Sequence, residues 1–434
     1  MIRVPGDKSI SHRALLLAAV ARGESRLRGV LPGEDCQATA RCMRAMGAHI
    51  PALPADGSEI RVEGVGLRGL RHPDQVLDCG NSGTTARLLL GLLTGAGVRA
   101  TLTGDDSLRA RPMRRVTEPL VCAGGRFVEL GEEDRLPIRL EGGGGRPPSA
   151  GPLEAELAVA SAQLKSALLL AGLTGDFEVV VKEPGRSRDH TERMLRQMGV
   201  TVGTTDHRDG SRTVHLPPRP DGAFLRPLDL EVPGDLSSAA FLMALGLLRE
   251  GGPLELGNVG LNSTRTGILP VLRRMGARLE VRDLRDSEGG AGEPAGTVEV
   301  HPSRLQATDV TPSEIPLLLD EVPLLAVLAA RARGTTRIRG AEELRVKESD
   351  RLAALARNLE ALGVAVEEYP DGLDITGSEG PLTGAVGAEG DHRIAMAFGV
   401  LGALPGNRVD VDDPAVAAVS YPGFWDRLAE LAGP

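Results

Sequence analysis

The stretch Val4-Pro5-Gly6-Asp7-Lys8-Ser9-Ile10-Ser11-His12-Arg13 (VPGDKSISHRALLLAAVARG in full) returns as Val232-Pro233-Gly234-Asp235 in VPGDLSSAAFLMALGLLREG. The second copy lies close to the midpoint of a 434-residue chain. A chain that repeats itself there is expected to hold two related domains, and its length suits two cores better than one. The first copy carries Lys8, His12 and Arg13; the second, in the same stretch, carries Leu236, Ala239 and Ala240. Folding alone does not require the cations of the first.

A finer repeat lies inside the first. Six apolar segments with helical character begin near Ser11, Ser82, Ser161, Ser237, Asp320 and Asp391, at spacings of 71, 79, 76, 83 and 71 residues. Between them runs a second signal, an amphipathic helix that ends at glycine before a strand. It reads RAMGAHI, VCAGGRF, RQMGVTV, RRMGARL and EALGVAV, with Gly47, Gly124, Gly199, Gly276 and Gly363 placed for the left-handed position after a helix. The tail FWDRLAEL reads as a truncated sixth member. Each unit of about 72 residues thus pairs a wholly apolar helix with an amphipathic one and short strands. Solenoid periods are shorter, so two closed three-fold domains are expected. The Gly/Pro-rich stretches 141–152 and 217–227 read as loops.

Composition narrows the partners. Aromatic residues are 2% of the chain, too few for stacking platforms that hold single-stranded nucleic acid. A net charge of −9 argues against polyanion binding. Cys36, Cys42, Cys79 and Cys122 form no CxxC pair, no histidine cluster has metal-ligand spacing, and the thiols read as core residues in a reducing cytoplasm. No apolar run is long enough to span a bilayer. Lys8, His12 and Arg13 precede the first apolar run with no cleavage site after it, so no secretory signal is expected.

Helix N-termini bind anions and disfavour Lys and Arg. Yet Lys8 and Arg13 flank one apolar helix start and Arg393 follows Asp391. Lys347 and Arg351 bracket the start of ESDRLAALARNLEAL, and Arg111 precedes Pro112, a good first helical residue. One such cation is a surface charge; four segments with the same anomaly point to a shared site for a small anion. GNSGTT at 80–85 is neither a Walker loop nor a nucleophile elbow, but its glycines and hydroxyls suit close approach to an anion. Asp320-Glu321 and Glu348 are candidate acid/base groups. Their bland alternatives are a helix N-cap for Asp320 and an exposed ion pair with Lys347 for Glu348. Ser187-Arg188-Asp189-His190 could cap the next helix through Asp189 or Thr191.

The segments VPGDKSISHR, CGNSGTTAR, RARPMRRV, ASAQLKSALLLAGL, GRSRDHTERML, VPGDLSSAAF, LNSTRTGI, LLLDEVP, LRVKESDR, GDHRIAM and SYPGFW, in this order, resemble the motifs of the 5-enolpyruvylshikimate-3-phosphate synthase family, in the form common in Gram-positive and related bacteria. The resemblance implies a mixed α and β (α+β) fold, an inside-out α/β barrel: two domains of three βαβαββ units each, helices inside and sheets outside. Their bounds would be 6–231 and 1–5 plus 232–434, with the active site in the cleft between them and the two VPGD strands as hinge. It implies transfer of the enolpyruvyl group of phosphoenolpyruvate to the 5-hydroxyl of shikimate 3-phosphate, in the cytoplasm, by a monomer. No metal, organic cofactor, nucleic acid or membrane takes part.

Carried over by motif, Lys8, Ser9, Arg13, Ser161, Gln163, Ser187, Asp320 and Lys347 would bind shikimate 3-phosphate. Lys8, Gly83, Arg111, Gln163, Arg351 and Arg393 would bind phosphoenolpyruvate. Asp320, Glu348, Lys347 and Lys8 would be catalytic, Asp320 taking the hydroxyl proton and Glu348 serving C3. Gly83 implies sensitivity to glyphosate, since the tolerant form has Ala there. Departures are Ala162, where some members have a second serine, and Val419, where some have a lysine. The chain also lacks the further strand that many members place before the first VPGD, so either the second domain is short of an edge strand or the true start lies upstream. The nearest alternative is the sister enzyme acting on UDP-N-acetylglucosamine, which usually carries a reactive Cys or Asp near this RxRP region; Leu108-Arg109-Ala110-Arg111 has neither. A non-catalytic anion-binding module on the same scaffold is the alternative from another class.

Overall fold

The computed structural model describes residues 1–142, 151–219, 224–286 and 290–432. Most of the loop at 141–152, and the centre of that at 217–227, lie outside the described residues. The chain divides into two compact units. One comprises Gly6–Val232 with Asp286–Glu293; the other comprises Met1–Pro5, Pro233–Arg285 and Pro294–Pro434. The chain passes from one to the other between Pro5 and Gly6 and between Val232 and Pro233, within the two VPGD copies. The short excursion at 286–293 had no signal in the sequence.

In the unit built on 6–232, three apolar helices, Lys8–Ala19, Gly83–Ala96 and Ala162–Gly175, are buried over nearly their whole circumference. Their flanking strands make three sheets. The order Leu77–Asp78, Ala100–Thr103, Ile138–Leu140, Phe127–Glu129 has a parallel pair first and antiparallel pairs after it. Leu153–Glu156, Val179–Glu183, Arg212–Leu216 and Gly203–Asp206 repeat that order. Each is a βαβαββ unit. The third sheet pairs Arg22–Arg28 with Ile60–Val65 and takes its parallel partner, Asp229–Glu231, from the far end of the segment. The unit therefore closes on itself.

The other unit repeats the plan around Leu236–Leu248, Val322–Ala329 and His392–Gly402. Ile2 forms a parallel bridge to Leu256, so the N-terminal residues line the edge of the Leu254–Gly260 strand. The last βαβαββ repeat is the short one. Thr383–Val386 and Arg408–Val411 make a two-stranded sheet among the described residues, and Phe424–Ala432 is the helix expected of the tail.

The turn logic of the repeat is observed at each predicted glycine. Gly47, Gly124, Gly199, Gly276 and Gly363 all have positive φ, from 76° to 101°. Helix starts differ in places. Asp7 and Asp235, not Ser11 and Ser237, cap the two VPGD helices: each carboxylate, four and two residues earlier, accepts from a free amide of the first turn. Arg13 therefore lies inside its helix, and at the repeat offset it corresponds to Phe241. Arg111 does not open a helix: the next one begins at Arg114. Of the four thiols, Cys122 is exposed.

Close packing of two buried helices sets the geometry of the first site. Gly91 and Gly95 face Ala167 and Ala171, and a Cβ on either glycine would lie 2.1 Å from a backbone carbonyl oxygen of the facing residue. Thr174 Oγ1 donates between the helices to Leu92 O at 2.9 Å or back to Leu170 O. The match of 91 to 167 and 95 to 171 makes the helices parallel, so their N-termini lie at the same end. Gly91→Ala gains about 1 kcal/mol of helix propensity but forces the backbones apart, a cost of about 1–3 kcal/mol or more. A net fall in melting temperature of roughly 2–4 °C or more is expected by calorimetry; an unchanged or raised value would refute the close-approach argument.

Candidate active site

Two clusters of the expected residues form, one in each unit. In the 6–232 unit the starts of the three buried helices are tied together by hydroxyl and amide side chains. His12 Nδ1 bonds Thr39 Oγ1 at 2.7 Å, Thr39 meets Thr85 Oγ1 at 2.7 Å, and Thr85 Oγ1 donates to Ser82 Oγ at 2.8 Å. Gln163 Nε2 donates to Thr84 Oγ1 at 3.0 Å, joining the Ser82 and Ser161 helix starts. Ser82 and Ser161 are both side-chain N-caps.

The cations lie on this frame. Lys8 is the first residue of its helix, and its Nζ is 3.0 Å from Asp35 Oδ2. Arg13 donates to Thr191 Oγ1, Ser9 O and Ser166 Oγ at 2.8–2.9 Å, and burial pushes its guanidinium down to about 10. Arg111 donates to Asn81 Oδ1 at 2.7 Å and Ser107 Oγ at 3.2 Å. Gly83 is the first residue of its helix, and a Cβ there would lie 2.6 Å from Arg87 Nη1 and 3.5 Å from Arg111 Nη1.

Two arginines that the sequence reading gave no role join the cluster. Arg87 Nη1 donates to Gln163 Oε1 at 3.1 Å, and Arg188 Nη1 reaches Ser9 Oγ at 3.5 Å. Arg87 had a legible signal: it stands four residues after Gly83, and helical side chains lean toward the N-terminus. Arg188 had none, because its neighbour comes from a distant helix.

Beneath the cluster is an ion network invisible in the sequence. Lys165 is fully buried between Glu183 at 3.0 Å and Glu192 at 2.9 Å. Burial alone would lower its pKa, but Glu192 and then Glu183 hold it above the ordinary value. Ser187 donates to Glu183 Oε2 at 2.5 Å, so this carboxylate orients the hydroxyl expected at the phosphate. Asp189 stands at the N-cap position of His190–Gln197 without a side-chain capping bond, and Thr191 is inside that helix. Asp189 instead accepts from Arg193 Nε.

In the other unit, Arg351 organises the acid/base groups. Its Nε donates to Asp391 Oδ2 at 2.7 Å and its Nη2 to Glu348 Oε2 at 2.6 Å. Nη1 lies 3.8 Å from Asp320 Oδ1 and has no hydrogen-bond acceptor among the described residues. Burial opposes its charge, yet Asp391 and then Glu348 hold its pKa above the ordinary value, and Arg351 in turn overcomes burial to hold Asp391 below its own. Arg393 donates from Nη1 to Asp320 O at 3.1 Å, and its Nη2 is 3.6 Å from Asp320 Oδ2.

Side-chain exposure separates two fully buried residues from three that reach solvent. Arg351 and Asp391 are 1% and 0% exposed, whereas Asp320, Glu348 and Lys347 are 18%, 22% and 28% exposed. Burial lowers the Lys347 pKa despite Glu343 and Asp320, which oppose the shift. The capping role for Asp320 is not observed. A 3-10 turn, Leu319–Glu321, precedes the helix and Glu321 occupies the N-cap position. Glu348 pairs with Arg351, while Lys347 lies 3.7 Å from Glu343. Val419, where a lysine was expected in some relatives, ends the short Pro414–Val419 helix and is half-buried.

Among the described residues, no group of three or more His, Cys, Asp or Glu side chains could hold a metal ion. No helix among them is long and apolar enough to cross a membrane.

The family model of EPSP synthase (3-phosphoshikimate 1-carboxyvinyltransferase) matches residues 1–428. A 3-phosphoshikimate 1-carboxyvinyltransferase of Synechococcus sp. (strain RCC307) is 49% identical over 99% of this chain and 96% of its own. The structure of EPSP synthase from Acinetobacter baumannii superposes with a TM-score of 0.83 at 38% identity, over 100% of this chain and 95% of that one. An enolpyruvyl transferase of Streptomyces tendae, 20% identical with a TM-score of 0.77 over 99% and 94% of the two chains, shares the fold.

The hydroxyl frame has a measurable signature through His12. Burial pushes this imidazole down to about 3 from 6.5. The folded state keeps it neutral while the unfolded chain protonates it below about pH 6.5. Its contribution to stability is therefore whole above that pH and is lost as the pH falls toward 3, at about 1.4 kcal/mol per pH unit. His12→Gln should flatten the decline in melting temperature between pH 6.5 and 4.5. A variant whose decline parallels that of the parent would show that His12 is not buried neutral.

Proposed function

The chain belongs to the EPSP synthase family, and we infer that its two clusters act on one substrate pair to perform that family's reaction. The enolpyruvyl group of phosphoenolpyruvate is transferred to the 5-hydroxyl of shikimate 3-phosphate, and phosphate is released. The observation that carries the assignment of roles is the Arg351 arrangement: two half-exposed carboxylates, Asp320 and Glu348, beside two buried guanidiniums. Addition of the hydroxyl to C2 of the enol requires a base for the hydroxyl proton and an acid for C3; elimination of phosphate requires the C3 proton to leave again.

In this reading Asp320 takes the hydroxyl proton and Glu348 gives and removes the C3 proton. The Lys347 ammonium, its pKa lowered, stabilises the developing charge. Arg351 and Arg393 hold the anionic donor from one unit, and Lys8, Arg111 and Gln163 hold it from the other, with Gly83 leaving room for it. Ser9, Arg13, Ser161 and Ser187 bind shikimate 3-phosphate, aided by Arg188. Both carboxylates belong to one unit and most phosphate-binding groups to the other, so the reaction needs both. The passages of chain through the two VPGD copies serve as the hinge. The enzyme acts as a monomer in the cytoplasm, with no nucleic acid or membrane taking part.

Incubation with shikimate 3-phosphate and phosphoenolpyruvate should release phosphate. Release only with UDP-N-acetylglucosamine as acceptor would overturn the assignment. Asp320→Ala should lower kcat by about 10²–10⁴-fold while calorimetric binding of shikimate 3-phosphate stays near that of the parent; full turnover would remove Asp320 from the chemistry. Glyphosate should inhibit, and Gly83→Ala should weaken that inhibition because its methyl displaces Arg87. Indifference of the parent enzyme to millimolar glyphosate would contradict the role given to Gly83.

A further inference from the structure

The segment Leu261-Asn262-Ser263-Thr264-Arg265 and the hydroxyl of Ser237 have no part in the mechanism above, yet they meet at one buried point. Arg265 Nη2 donates to Ser237 Oγ at 2.6 Å and to Asp235 Oδ1 at 3.1 Å. Ser237 Oγ donates to Glu321 Oε1, and the guanidinium lies 3.9 Å from the same oxygen. Asp235 is also the N-cap of the Leu236–Leu248 helix. A tight turn fixes the arginine from behind, with Thr264 N and Oγ1 donating to Asn262 Oδ1 and Arg265 N donating to Asn262 O. The side chains of Asp235, Ser237, Asn262, Thr264, Arg265 and Glu321 are all buried.

This bracket ends on the residue next to Asp320. Leu319–Glu321 is a single 3-10 turn, and Glu321 has no side-chain capping bond to the helix it introduces. Arg351 and Arg393 stand 3.8 and 3.6 Å from the Asp320 carboxylate, beyond hydrogen-bond length. The turn is instead gripped at Asp320 O by Arg393 and at the Glu321 side chain by Ser237. Burying a guanidinium and two carboxylates costs several kcal/mol per ion, and well-packed apolar residues would hold the core at least as well. Stability alone gives no reason for the network.

We propose that Arg265, Ser237 and Glu321 are positioning residues that fix the Leu319–Glu321 turn, so that Asp320 presents its carboxylate to the substrate hydroxyl. The proposal rests on the reading of Asp320 as the base. It gives the second VPGD copy a task. Ser237 is the counterpart of Ser9 at the repeat offset; the first copy places its serine at the ligand, and the second places it under the base. What the bracket requires of Glu321 is an acceptor oxygen of the right reach. Burial, aided by Asp320 and opposed by Arg265, holds this carboxyl above its ordinary pKa.

The test measures kcat, both KM values and melting temperature for Ser237→Ala, Glu321→Ala and Glu321→Gln beside Asp320→Ala. Ser237→Ala and Glu321→Ala should lower kcat about tenfold or more, since a misplacement near 1 Å costs up to about 100-fold. KM for both substrates should stay within about threefold, because neither residue is assigned to binding. Glu321→Gln, which keeps the acceptor, should recover most of kcat. Three results would overturn the proposal: unchanged kcat in folded Ser237→Ala and Glu321→Ala, a Glu321→Gln as slow as Glu321→Ala, or KM values that rise in step with lost stability. If Glu321→Ala does not fold, Ser237→Ala, which deletes one hydroxyl, decides alone. Full turnover by Asp320→Ala would sink the base assignment; an inactive Asp320→Ala beside normal Ser237→Ala and Glu321→Ala would sink the bracket only.

Discussion

A helix buried along its length satisfies every backbone group internally except those of its two ends, and six such helices carry this protein's architecture. Their sides are mainly apolar, with His12, Arg13, Lys165, Ser166 and Thr174 among the buried polar exceptions. Their N-termini cannot be apolar, because free N–H groups there need acceptors. Asp7, Ser82, Ser161, Asp235 and Asp391 supply side-chain caps at five of the six. Once a ring of polar caps exists at helix N-termini, it is also the place where an anion gains most from backbone dipoles. Five of the residues proposed to bind the substrates obey this constraint: Lys8, Ser9, Gly83, Gln163 and Arg393 are all in the first turn of a buried helix.

The sixth helix, Val322–Ala329, breaks the rule, and the exception lies at the carboxylate proposed as the base. No side chain caps it through hydrogen bonding; a 3-10 turn leads in, and Asp320 is left half-exposed with two guanidiniums nearby. A capping carboxylate would be occupied by amide donors. Asp320 stands one residue ahead of the cap position, and the turn that carries it is bonded at the Glu321 side chain by Ser237.

Buried charge is balanced locally in both units. Lys165 sits between two glutamates, and Arg351 between Asp391 and Glu348. Each cation keeps its proton because its partners outweigh desolvation, and each buried carboxylate oxygen that accepts from a functional group fixes that group's direction. Glu183 thereby orients Ser187, and Asp391 aligns Arg351 with Glu348 and Asp320. The cations at helix starts, anomalous by dipole reasoning, are tolerated through such pairs, Lys8 with Asp35 among them.

The repeat, the apolar helices, the glycine stops and the motif residues were legible in the sequence because each depends on contacts within a few residues. Gly47 through Gly363 take positive φ whatever the rest of the chain does, and wholly apolar helices must be buried wherever they pack. Pairings over long separations were not legible. The Arg188 contact with Ser9 spans 179 residues, the Ser237 contact with Glu321 spans 84, and the closing strand Asp229–Glu231 pairs with Arg22–Arg28 across the whole unit. Only the folded chain could decide that Asp320 is not a cap and that Glu348 belongs to Arg351. The turn before Val322 is set by long-range bonds from Ser237 and Arg393, and Arg351, although only three residues from Glu348, is held in place by Asp391 forty residues on.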